Sequence, residues 1–92
     1  MQFEWDKEKA ASNLIKHDVS FEEASTVFGD FFAKMFYDDE HSADEKREII
    51  VGYSARNRLL AVCFTERELK RIRIISARET TKIEREDYEN EQ

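Results

Sequence analysis

From Leu59 to Thr65 the chain runs seven residues without a charge, in a sequence of 92 residues of which 39% are charged. In an extended conformation Leu60, Val62 and Phe64 fall on one side and Leu59, Ala61 and Cys63 on the other. A strand that is apolar on both sides belongs in the middle of a sheet, covered above and below. Seven residues also fall well short of the roughly 20 that cross a bilayer, and the N-terminus lacks the apolar run of a signal peptide. The sequence is therefore read as one soluble, cytoplasmic domain over residues 1–92 with no membrane partner. Cys63 is the lone cysteine, so no internal disulfide forms, and two histidines with one cysteine do not complete a structural zinc site without carboxylate help. No metal or other cofactor is expected.

The rest of the chain supplies the covering layers. Gln2 to Trp5 alternates like a short edge strand, and Asp6 is placed to cap a helix running to about Lys16, with Ala10, Ala11, Leu14 and Ile15 on one face. Ser20 and Glu23 form a capping signature for a second, short helix that carries Phe21, Ala24, Val27 and Phe28 and ends at Gly29 in a left-handed cap. Phe31 to Tyr37 then reads as a strand, followed by an acidic connection from Asp38 to Glu45. Arg47 to Ser54 and Arg58 to Thr65 pair as a hairpin, with Asn57 at the positive-φ position. In the last strand, Lys70 to Ser76, strict alternation puts Ile72, Ile74 and Ser76 on one face and Arg71, Arg73 and Ile75 on the other. Thr81 and Glu84 open a final helix to about Asn90, in which only Ile83 and Tyr88 are large and apolar. The order β-α-α-β-β-β-β-α gives an α+β fold, an antiparallel sheet with the two N-terminal helices on one face and a C-terminal helix.

Charge is segregated along this order. Residues 1–55 carry 6 basic and 13 acidic side chains, residues 56–78 carry 7 and 2, and residues 79–92 carry 2 and 6. A formal net charge of −6 thus conceals one positive zone, the footprint expected for phosphate or an acidic partner. Six of its seven cations are arginines, the planar donors that grip phosphate or carboxylate in pairs. The alternative is that each arginine simply pairs with a neighbouring acid on the surface.

Phe3, Glu4, Trp5 and Asp6, then Asn13 with Lys16 and His17, the run Val19 to Ala24, His41 and Ser42 with Glu45 and Arg47, Gly52, and Ile74 to Arg78 followed by Glu84, Arg85 and Tyr88, make a pattern over essentially the whole chain. It resembles the BrnT family of type II toxins. The resemblance implies a RelE-like fold and a ribonuclease that halts growth. It also implies neutralisation by a cognate antitoxin that, with the toxin, represses the operon, so that operator DNA is contacted only through the complex. Two departures replace a family glycine by Asp18 and Asn57, both of which tolerate the left-handed conformation. A third puts Phe31 where the family commonly has proline.

Metal-free RNA cleavage needs a base for the 2′-hydroxyl, an acid for the leaving 5′-oxygen and cations for the phosphorane. Arg78 and Arg58 are the candidate catalytic cations, with Arg73, Arg71, Arg85, Lys9 and Lys16 as RNA-binding candidates. His17 and Glu84 are candidates for proton transfer, and His41, Glu79 and Tyr88 remain open, so the general base is not identified. A hydrolase triad fails because Ser76 has no elbow motif around it, and a metal site at Asp38, Asp39, Glu40 and His41 is the weaker reading. The antitoxin is expected to present acids to Arg71 and Arg73 and an apolar ridge to Ile83 and Tyr88. The competing class is a non-catalytic module whose arginine face binds an acidic protein or nucleic acid.

Overall fold

The computed structural model describes residues 1–38, 46–68 and 70–90. Its elements are β1 (Gln2–Glu4), α1 (Lys7–His17), α2 (Phe21–Thr26) continued by a 3₁₀ turn (Val27–Gly29), β2 (Lys34–Tyr37), β3 (Glu48–Tyr53), β4 (Leu59–Glu66), β5 (Arg71–Glu79) and α3 (Lys82–Asn90). The expected element order is observed. The acidic connection beyond Asp38, with His41, lies outside the described residues.

The strands form one sheet in the order β1-β5-β4-β3-β2, with β4 in the middle. Pairing is antiparallel except at β1, which runs parallel to β5 with Phe3 opposite Ile72, so the sheet is mixed and not wholly antiparallel as expected. Both faces of β4 are covered, but by different helices. Leu60, Val62 and Phe64 join Ile72, Ile74 and Ala77 under Val19, Phe21, Ala24 and Val27 of the α1–α2 layer. Leu59 and Ala61 pack with Val51 against Tyr88 of α3 on the opposite face.

Local chemistry explains where elements start, stop and turn. The Asp6 carboxylate accepts from the Glu8 and Lys9 N–H groups at 2.8 and 3.1 Å, which starts α1. Asp18 (φ 58°) and Asn57 (φ 60°) take the left-handed conformation that both side chains tolerate. Gly29 does not: no described glycine has positive φ, because the chain leaves α2 through a right-handed 3₁₀ turn closed by the Asp30 N–H on the Val27 carbonyl (3.0 Å). The strand expected from Phe31 begins only at Lys34, since Asp30 folds residues 30–33 into a turn, accepting from the Phe32 N–H at 3.0 Å through its side chain.

The inward face of α1 also differs from expectation. Leu14 and Ile15 are exposed, at 48% and 88%, and the helix instead turns Ala10, Asn13 and His17 toward the sheet. Asn13 is buried, and its amide donates to the carbonyls of Val19 (2.9 Å) and Ala77 (2.8 Å) and accepts from the Ala77 N–H (3.1 Å). Because β1 ends at Glu4, opposite Arg73, the amide of Asn13 continues the ladder that β1 leaves unfinished along β5.

β5 departs from strict alternation in the middle. Cys63 lies opposite Ser76 while Phe64 lies opposite Ile74, so Ile75 is an extra residue and the strand bulges there. Beyond the bulge the alternation is reset. Ala77 enters the α1–α2 core, and Ser76, expected on the face shared by Ile72 and Ile74, turns instead to the α3 face with Arg78.

Candidate functional site

The bulge places one short piece of β5 on the rim of two recesses. On the α3 face a recess of about 380 Å³ is floored by Ile49, Ala61, Cys63 and Ser76 and bordered by Arg47, Arg78 and Asp38. Around the open edge of β5, a crevice of about 220 Å³ lies between Ile75 and Ser76 and the α1 side chains Lys9, Asn13, Lys16 and His17. Four cations against one carboxylate border the two recesses, in a chain whose formal net charge is −6.

Arg78 is held in one orientation. Its two terminal nitrogens donate to the two carboxylate oxygens of Glu84 at 2.8 and 2.9 Å, and one also reaches the Glu79 carbonyl at 3.3 Å. Glu84 is itself fixed by the capping box that starts α3, accepting from the Thr81 N–H at 2.9 Å while its own N–H donates to the Thr81 hydroxyl at 3.2 Å. The guanidinium beside it, outweighing partial burial, holds the Glu84 carboxyl below the usual carboxylate range. Glu84 therefore stays anionic and positions Arg78, and a carboxylate held low is a weak proton acceptor.

The other sequence candidates divide sharply. Lys9, Lys16 and His17 line the crevice with Ser76. Arg71 and Arg73 face Glu4 across the β1–β5 pairing, at 3.5 and 3.0 Å. Arg85 leans toward the Tyr53 hydroxyl at 3.5 Å and borders neither recess. Arg58, expected with the reacting group, is tied into the fold: its Nε donates to Glu23 at 2.9 Å, Nη2 bonds the same carboxylate, and Nη2 also donates to the Asp18 carbonyl at 2.8 Å. The Glu23 side chain is only 3% exposed and accepts from the Ser54 hydroxyl at 2.7 Å, so of the capping box expected with Ser20 only one half forms, the Ser20 hydroxyl accepting from the Glu23 N–H at 3.0 Å.

Ile83 and Tyr88 part company in the same way. Ile83 is 72% exposed, whereas Tyr88 is 5% exposed and so is withdrawn from the surface on which an antitoxin was expected to find it. Its ring meets Tyr53 edge-on at 5.5 Å and its hydroxyl donates to Asp30 Oδ2 at 2.6 Å. The same oxygen accepts from the Tyr53 N–H at 2.8 Å. A Cβ on Gly52 would stand 3.0 Å from Asp30 Oδ2 and from Ala33 Cβ, so any larger residue would push against this approach. Burial, and then the Asp30 carboxylate, push the Tyr88 phenol up to about 12.

Sequence reasoning overlooked Asn13 as a ladder partner and Ser76 and Arg47 as recess residues. A signal existed for the first, an amide one helical turn from both Ala10 and His17 on the row that starts at the Asp6 cap. Ser76 was assigned to the wrong face because a bulge leaves no mark in a pattern of alternating side chains.

Residues 5–84 match the family described as ribonuclease toxin, BrnT, of type II toxin-antitoxin system. The chain belongs to the BrnT family. Among solved structures, the crystal structure of the Brucella abortus ribonuclease toxin BrnT is similar, with a TM-score of 0.69 and 25% identity over 89% of this chain and 99% of that one. Comparison with curated proteins gives no match. BrnT membership makes this a toxin-type chain whose family partner is an antitoxin. Among the described residues no helix is long and apolar enough to cross a membrane, and no three His, Cys, Asp or Glu side chains gather as metal ligands.

Proposed function

We propose that the chain is a metal-independent endoribonuclease whose scissile phosphate lies over Ser76 at the β5 bulge. The observation that carries this reading is the junction of the two recesses there, which brings Lys9, Lys16 and His17 from one side and Arg47 and Arg78 from the other to the same stretch of strand. The 2′-hydroxyl oxygen attacks the adjacent phosphorus, the 5′-oxygen leaves with a proton, and the products end in a 2′,3′-cyclic phosphate and a 5′-hydroxyl. Arg78, oriented by Glu84, stabilises the negative charge that builds on the phosphorane. His17 exchanges protons, the role for which an imidazole is suited near neutral pH. Lys9 and Lys16 hold the strand by its phosphates, and Arg71 and Arg73 extend that track on the next row of the sheet. Arg58 is left out of the reaction, since it lines neither recess and is tied to the Glu23 carboxylate, whose side chain is only 3% exposed.

The cognate antitoxin covers the α3-face recess, approaching over the exposed Ile83 and placing acids toward Arg71 and Arg73. Repression of the operon by the toxin–antitoxin complex completes the reading and is tested by operator binding with and without the antitoxin.

The decisive experiment is purified protein on defined RNA in EDTA. Wild type cuts and leaves cyclic or 3′-phosphate ends. Arg78→Ala lowers the rate by about 100-fold or more while the far-ultraviolet circular dichroism is kept, the usual cost of losing one preorganised donor to a developing anion. A strict requirement for Mg²⁺ with 3′-hydroxyl ends overturns the mechanism.

A further inference from the structure

The strand register lines up one row of residues across four strands of the α3 face: Phe36 is opposite Ile49, Ile49 opposite Cys63, and Cys63 opposite Ser76. The row on one side of it contains Val51, Ala61 and Arg78, with Tyr88 of α3 packed on its apolar members. On the other side lie Thr65 and Arg73, paired in register, with Arg47 on the approach to β3. The row is thus a trough floored by Ile49, Cys63 and Ser76, with Arg78 on one wall and Arg73 and Arg47 on the other, where the Asp38 carboxylate also stands. It begins at Ser76 and ends on the edge strand at Phe36, which is 41% exposed and belongs to neither buried apolar cluster. Three interstrand spacings separate the two ends, about 14 Å.

We propose that this row is a nucleobase platform, in which the Phe36 ring stacks a base of the RNA whose backbone phosphates lie against Arg47 and Arg78. The inference rests on the ribonuclease reading above and adds a subsite that holds one base at a fixed distance from the scissile phosphate. A flat apolar ring at the end of a cation-walled trough matches the two halves of a nucleotide, a base with a π-face and a phosphate. Such stacking tolerates any base, since every base has a π-face. Phe31 is more exposed, at 92%, yet it sits in the turn before β2, outside the row, and its ring is met edge-on by Phe32 at 5.4 Å. That difference separates a platform from mere aromatic exposure.

The test is binding of a short 2′-O-methyl oligoribonucleotide, which lacks the attacking hydroxyl and is not cut. Phe36→Ala weakens binding about 5- to 100-fold, Phe36→Tyr and Phe36→Trp keep it, and Phe31→Ala leaves it within two-fold. The slope of log Kd against log salt is unchanged in Phe36→Ala, because no phosphate contact is lost. One abasic position in the oligonucleotide reproduces the loss, and Phe36→Ala adds nothing further to it. Phe36→Leu, apolar but without a ring, takes the place of the alanine variant if that one does not fold. Binding by Phe36→Ala within two-fold of wild type, a changed salt slope, failure of wild type to bind at low salt, or a defect confined to antitoxin binding each overturns the proposal. Failure of cleavage in EDTA with this binding pattern intact overturns the mechanism and not the platform.

Discussion

Asn13 makes three hydrogen bonds from inside a helix, all to backbone groups of other elements, and none of those groups has water as a ready substitute. Asn13→Ala leaves the Ala77 N–H and carbonyl and the Val19 carbonyl unpaired, at an expected cost of about 2–4 kcal/mol. Arg58→Ala strands the buried Glu23 carboxylate and costs about 2–4 kcal/mol, less than a fully buried pair because the guanidinium side chain is 23% exposed. Urea unfolding measures both, and Arg78→Ala, at a side chain 38% exposed, provides the contrast with a shift below about 1 kcal/mol. From sequence alone Arg58 and Arg78 look equivalent, two arginines near strand ends in a positive zone. What separates them is the buried carboxylate opposite one, supplied 35 residues away by Glu23, and no local pattern encodes that distance.

At the scale of elements, most of the fold was legible: the both-sided apolar run gave a central strand, Asp6 and Ser20 began helices, and Asn57 closed the hairpin. The parallel pairing of β1, the bulge at Ile75 and the choice of face for α3 were not legible, because each depends on contacts between segments far apart in the chain. The attachment of α3 is a case in point. Only one large side chain of the helix is buried, and its phenol is anchored to Asp30 beneath Gly52. Raised in the folded state to about 12 from an ordinary value of 10, Tyr88 contributes stability that is complete below about pH 10 and lost as pH rises toward 12. Circular dichroism and hydrogen exchange over that range are expected to show α3 released on the alkaline side. Tyr88→Phe abolishes this dependence and lowers stability at neutral pH by about 1–2 kcal/mol.

For the molecule as a whole, four carboxylates among the described residues are held low in the fold, Asp6 by the Lys9 and Glu8 N–H groups and three others by partners farther off in the chain. Glu23 is held down by Arg58 against burial, and Glu84 by Arg78; Asp30 is pushed up by burial but more than recovered by the Tyr88 hydroxyl and two backbone N–H groups. A depressed carboxyl gives stability that is present above its unfolded value and lost as pH falls through its folded value. Unfolding on the acid side therefore takes up protons below about pH 4.5, and Glu84→Gln makes that limb shallower, as read from Trp5 fluorescence against pH. The two recesses at β5 have a further consequence, for the rate of encounter. Their four cations gather around one stretch of β5 in a molecule of formal net charge −6, so a polyanion repelled by the whole is drawn in there. Added salt slows arrival more than departure, and captured strands arrive already oriented along the row that leads from Ser76 to Phe36.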